Sequence, residues 1–184
     1  MLNESAALLE ITEASHGVLV NLAYAGSANF AGHPVYPDGR CWLHRDAEPG
    51  LRRAAQLAAL TGLRLKLLDA YRTPRAHEAL CAYITDPRYI ADPRRGSNHS
   101  RGTAIDLTLV DAQGRELDMG SAFDTMDEVS HHGHPGLPVA AQRNRFLLLG
   151  IMAMAGFQRL DEEWWHYQLP DARSYPLIPE APGQ

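Results

Sequence analysis

The stretch Ala104-Ile105-Asp106-Leu107-Thr108-Leu109-Val110 places one carboxylate inside a largely apolar, β-branched run. Such a run suits a buried strand. A carboxylate within it is costly to bury unless something positive neutralises it. A metal ion would do so. An ion pair with an arginine such as Arg101, or a side chain turned to solvent, would serve equally well, and the motif by itself leaves these readings open.

The chain has 184 residues, 45% of them apolar and 21% charged, which suits one folded domain over residues 1–184 with its own core. Net charge is −5, and the Lys and Arg residues are scattered rather than gathered into a stripe, so nucleic acid is a poor partner. No apolar run approaches the length of a membrane span. The opening MLNESAALLEITEASHG lacks a basic region followed by an apolar one, so a cytoplasmic location is expected, with no membrane partner. The two cysteines, Cys41 and Cys81, are read as free thiols, with Cys81 a buried small hydrophobe on a helix. Oligomeric state is not legible, and a homodimer is compatible with the sequence.

Helices are expected over residues 5–14, 51–61 (stopped by Gly62), 74–83 and 138–155 (stopped by Gly156). Thr73 and Pro74 form a cap and first-turn pair for the third of these. Strands are expected over residues 17–24, from 63 to about 69–72, and over 104–110, 157–160 and 163–169. Residues 26–49 and 85–98, rich in Gly, Pro, Asn and Asp, read as irregular, and the Pro-rich tail from Pro176 as a surface strap or frayed end. This mixture, without a βαβ rhythm, points to an α+β fold with antiparallel pairing.

Nine histidines raise the question of metal. Two contexts stand out: SNHSRGTAIDLTL, with His99 and Asp106, and EEWWHYQL, with Glu163 and His166. Together His99, Asp106 and His166 offer two imidazoles and a carboxylate, the ligand set of a catalytic zinc with one position open. Zinc lowers the pKa of bound water to about 7, and Glu163 is the candidate general base. Residues 163 and 166 would face opposite ways on a regular strand, so a shared site requires a bulge or turn between them. Arg72, at a strand end before the Thr73-Pro74 helix start, is a candidate oxyanion holder, with a plain surface charge as the alternative. The tract His131, His132, His134 reads as a loop without a catalytic role. No HExxH helix, GxSxG elbow, Walker loop or GxGxxG is present.

The motifs SNHSRGTAIDLTL, DAYRTP, MGSAFD and EWWHYQLP, in order between Val18 and Ile178, resemble those of the D-alanyl-D-alanine dipeptidases of the vancomycin-resistance type. The resemblance implies an α+β fold with a small antiparallel sheet flanked by helices and one zinc ion in a cleft, shared with D-Ala-D-Ala carboxypeptidases and the hedgehog domain. It implies His99, Asp106 and His166 as metal ligands, Glu163 as general base and Arg72 as transition-state arginine. Thr73 stands before Pro74 as a departure from the family's pattern that leaves the arginine in place. It also implies that Tyr24, Ser97 and Asp124 hold the ends of a small D,D-dipeptide. Asp124 suits a free ammonium, and a helix or turn cap is its alternative role. Two rival functions remain: a zinc carboxypeptidase acting on longer wall peptides, and a non-catalytic zinc-bound module, which would need neither Glu163 nor Arg72.

Overall fold

A computed structural model describes residues 7–84, 86 and 88–182. Along the chain run β1 (Leu8–Ile11), α1 (Glu13–His16), β2 (Leu19–Val20), β3 (Cys41–His44), α2 (Glu48–Leu60) and β4 (Arg64–Asp69). There follow α3 (Pro74–Cys81), β5 (Ala104–Val110), α4 (Val139–Met154), β6 (Gln158–Leu160) and β7 (Glu163–Gln168). Short 3₁₀ turns lie between them, among them Ala23–Ala25 and His99–Arg101.

The strand that carries Asp106 is the middle of the molecule. β5 is buried at every position and sits third in a five-stranded sheet of order β2-β4-β5-β7-β6. Ile105, Leu107 and Leu109 join a core with Leu65 and Leu67 of β4, Leu51, Ala54 and Ala58 of α2, and Leu148, Ile151 and Met152 of α4. Burial of each such Leu or Ile contributes roughly 1.5–3 kcal/mol. Because side chains alternate along a strand, Asp106 turns away from that core to the other face. There the register sets a row: Asp69 of β4 stands opposite Asp106 of β5, which stands opposite His166 of β7.

The α+β class holds, with two corrections to the sheet. β2 runs parallel to β4, so the sheet is mixed rather than antiparallel. The expected strand over residues 17–24 shrinks to Leu19–Val20, because the chain then turns into the 3₁₀ segment that buries Tyr24. The helix expected over residues 5–14 is also replaced. Residues 5 and 6 lie outside the described part, and Leu8–Ile11 is a strand pairing antiparallel with β3. The partner strand supplies the backbone hydrogen bonds that a local helical pattern would have made within itself. Helix α2 begins at Glu48, with Pro49 in its first turn, where a missing N–H costs nothing.

Thr73 caps α3 as expected, accepting the Ala76 N–H. The tail is a strap: Ile178 is buried, donates its N–H to the Ser100 carbonyl at 2.9 Å, and accepts the Tyr71 hydroxyl at 2.8 Å. Cys41 and Cys81 are free thiols, but Cys81 is only half-buried, 3.7 Å from His77 Nε2, rather than a core residue. Among the described residues no helix is long and apolar enough to cross a membrane.

Candidate metal centre and active-site cleft

His99 opens a 3₁₀ turn that ends at Gly102, whose φ of +68° is the left-handed conformation a glycine adopts freely. A Cβ at Gly102 would lie 2.7 Å from Leu8 Cδ2, so the position is constrained twice. The turn holds His99 against the end of β4: its Nδ1 lies 2.8 Å from the Ala70 carbonyl, and its own carbonyl accepts the Arg72 N–H. A carbonyl can only accept, so Nδ1 carries the imidazole proton and Nε2 presents a lone pair.

That lone pair faces two further acceptors. His99 Nε2 is 3.4 Å from Asp106 Oδ1 and 3.2 Å from His166 Nδ1, and His166 Nδ1 is 3.0 Å from Asp106 Oδ1. Ligand atoms about 2.1 Å from a tetrahedral zinc lie about 3.4 Å from one another, so the triangle has the dimensions of three corners around one ion. Among the described residues this is the one group of three His, Cys, Asp or Glu side chains that converges in this way. All three are buried, and a cation is the species that such a set of acceptors can share. The alternative partner for Asp106 is excluded, because Arg101 donates to the backbone carbonyls of Tyr175 and Arg95. The electrostatics agree: the Asp106 carboxylate raises the His99 pKa against the opposing effect of burial, and both imidazoles lower that of Asp106.

Glu163 reaches the same site through a bulge. On β6, Arg159 and Leu160 are neighbours, yet their partners on β7 are Tyr167 and Glu163, so Trp164, Trp165 and His166 bow out between them. Glu163 Oε2 then lies 3.9 Å from His166 Nδ1. Burial, reinforced by repulsion from Asp106 and Asp124, pushes the Glu163 carboxyl up to about 8, against the pull of His166 and Arg72.

Arg72 is buried at the end of β4, with Nε 3.0 Å and Nη2 2.6 Å from Asp69 Oδ2. Its surface-charge alternative is excluded. Burial disfavours its charge, but Asp69 outweighs this and holds the guanidinium protonated. The guanidinium also lies 5.1 Å from the Tyr24 ring. Tyr24 in turn donates its hydroxyl to Asp124 Oδ2 at 2.8 Å. Asp124 has a φ of +60°, an uncommon backbone state for a non-glycine residue. Burial raises its carboxyl to about 7, although the Tyr24 hydrogen bond pulls the other way. Ser97 Oγ accepts the His99 N–H at 3.1 Å, which leaves its own proton free to donate.

All eight side chains named from the sequence line one cleft of about 240 Å³, so its walls bring together Tyr24, Arg72, Ser97, Asp124 and Glu163 around the ligand triangle. The histidines of the 131–134 tract do not line it: His131 Nε2 bonds the Tyr89 hydroxyl and His134 Nδ1 accepts the Gly136 N–H.

Comparison with known proteins agrees. A family model described as D-ala-D-ala dipeptidase matches residues 4–181. The chain belongs to the D-alanyl-D-alanine dipeptidase family. It is 50% identical over 159 residues to a D-alanyl-D-alanine dipeptidase of Escherichia coli, covering 86% of this chain and 82% of the relative. It is 37% identical to the enzyme of that name from Enterococcus faecium (88% and 90% covered) and 38% identical to that from Enterococcus faecalis (89% and 91%).

Three residues that line or buttress this dipeptidase-family cleft were not anticipated. Asp69 anchors Arg72, and it directly follows the apolar pair Leu67-Leu68 at the end of β4, where the reasoning about a carboxylate beside apolar residues would have found it. Tyr36 donates to Asp69 Oδ1 at 2.5 Å from the irregular segment, where no local pattern marks it. Gln168 lines the cleft two residues beyond His166.

Proposed function

We propose that the chain is a single-domain zinc metallopeptidase, spanning residues 1–184, that hydrolyses D-Ala-D-Ala to two D-alanines. The observation that carries this reading is the ligand triangle of His99, Asp106 and His166 with Glu163 and Arg72 on the same cleft. Relatives named D-alanyl-D-alanine dipeptidase support the substrate.

Zinc held by His99, Asp106 and His166 would lower the pKa of a water to about 7 and polarise the scissile carbonyl. Glu163, buried beside that triangle, takes the proton of the attacking water and delivers it to the leaving amine. Its raised proton affinity suits both halves of that task near neutral pH. Arg72, fixed by Asp69 and lining the cleft, holds its guanidinium charge in place for the developing oxyanion without having to reorganise. Asp124 and Tyr24 form an acceptor-bearing wall for the free ammonium of the dipeptide, and Ser97 donates to its other end. A small cleft with a buried carboxylate at the ammonium end favours a free dipeptide over a longer wall peptide, whose chain would continue through that position.

The free thiols Cys41 and Cys81 agree with a reducing, cytoplasmic location. The test is hydrolysis of D-Ala-D-Ala beside an N-acetylated D-Ala-D-Ala and a wall pentapeptide, before and after treatment with a chelator and after zinc is restored. Hydrolysis of the free dipeptide alone, lost on chelation and recovered with zinc, is the expected result. Activity that survives complete metal removal would overturn the reading, and preference for the blocked substrates would reassign it as a carboxypeptidase.

A further inference from the structure

We propose that Gln168 is a positioning residue for the metal, acting through His166. Its Oε1 lies 3.1 Å from His166 Nε2, and the same oxygen accepts the Asn98 Nδ2–H at 2.8 Å. Because Asn98 donates to that atom, it is the carbonyl end of the amide, and the proton between Gln168 and His166 belongs to the imidazole. Neutral His166 therefore carries its hydrogen on Nε2 and its lone pair on Nδ1, the nitrogen that faces Asp106 and His99.

The two histidine ligands are thus oriented by different means. For His99 the acceptor is a backbone carbonyl, which no substitution removes. For His166 it is a side chain two residues along the same strand face, pinned by Asn98 from the turn that precedes His99. Asn98 is itself held, its carbonyl accepting from the N–H groups of Arg101 and Thr103. Without an acceptor at position 168, His166 is free to place its proton on Nδ1, pointing a hydrogen at the cation. Groups in this position typically change metal affinity by about 10–100-fold.

The inference rests on the zinc reading, and the parent chain's own zinc content tests that reading separately. Zinc affinity is measured by competition with a chromophoric chelator, and the His166 tautomer by imidazole ¹⁵N shifts of the zinc-free protein. Gln168→Met is expected to weaken zinc about 10–100-fold and to mix the tautomers. Gln168→Glu, which keeps an acceptor, is expected to restore both. Asn98→Asp leaves β7 untouched and keeps the measurement available if Gln168→Met does not fold. Its carboxylate turns the Gln168 amide around, presents an N–H to Nε2, and is expected to weaken zinc as well. Parent-like affinity in Gln168→Met, or in Asn98→Asp, would overturn the proposal, as would a Gln168→Glu variant that binds zinc no better than Gln168→Met.

Discussion

His99 and His166 differ from His131, His132 and His134 in surroundings rather than in type. The first pair each have one nitrogen committed to an oxygen acceptor and the other turned on Asp106. In the second group, both ring nitrogens of His132 are buried without a hydrogen-bond partner among the described residues. Burial, with the guanidinium groups of Arg159 and Arg145 nearby, pushes its pKa down to about 4. Among the described residues the three histidines within four positions do not converge with other ligands on one point, whereas two histidines 67 residues apart converge with Asp106. What separates them is a carboxylate at the crossing point and acceptors that decide where each proton resides.

The comparison breaks first at Asp106. Asp106→Asn keeps the size of the side chain but removes the charge that two imidazoles and a cation share. It is expected to abolish both zinc retention after dialysis and D-Ala-D-Ala hydrolysis, while His132→Gln retains one zinc per chain and full turnover. If His132→Gln lost zinc, measured by elemental analysis, the tract would have to be counted as part of the site. Next in size is Glu163→Gln, which leaves the ligand triangle whole. It is expected to lower kcat by about 10²–10⁴-fold with zinc content unchanged, because it removes only the proton acceptor. A comparable loss of zinc would instead make Glu163 a ligand.

How much of this was legible in the sequence depends on the range of the determining interaction. Thr73-Pro74 set a helix start through contacts within four residues, and α3 begins there. Asp106 and His99 were legible because a carboxylate in an apolar strand and a glycine turn are local anomalies. β1 was not, since the decision between helix and strand at Leu8–Ile11 is made by Cys41–His44, a distant partner. The parallel pairing of β2 with β4 was hidden for the same reason. The bulge at Trp164–His166 could be named as a requirement, but its position could not be placed, because it exists only relative to β6. Asp69 lay within reach of local reasoning, as a carboxylate directly after Leu67-Leu68, while Tyr36 did not.

A third effect sharpens the contrast between carboxylates that face cations and one that faces none within bonding distance. Asp124, raised to about 7 by burial, has the Tyr24 hydroxyl as its one hydrogen-bond partner among the described residues. Its ionised fraction increases as pH rises through about 7, so KM for the free dipeptide is expected to fall over that interval. Asp124→Asn is expected to raise KM about 10–100-fold, the worth of one charge-assisted hydrogen bond, and to flatten this part of the pH profile. A wild-type KM that rises with pH across the same range would remove Asp124 from the ammonium end.

The smallest effect belongs to the tract itself and concerns stability rather than catalysis. An exposed histidine in the unfolded chain titrates near 6.5, and His132 in the folded chain near 4. Between those values the unfolded state binds the extra proton, so stability is complete above about 6.5 and is lost as pH falls toward 4. His132 is half-buried, and solvent screening reduces the loss to of order 1 kcal/mol. Urea midpoints of the parent at pH 7.5 and pH 5, set beside those of His132→Gln, isolate this contribution, because the two proteins differ at that residue alone. The parent is expected to lose more stability than the variant on acidification. Equal losses would mean that His132 finds a partner for its proton after all, and that the electrostatic difference between the two groups of histidines is smaller than the arginines around it imply.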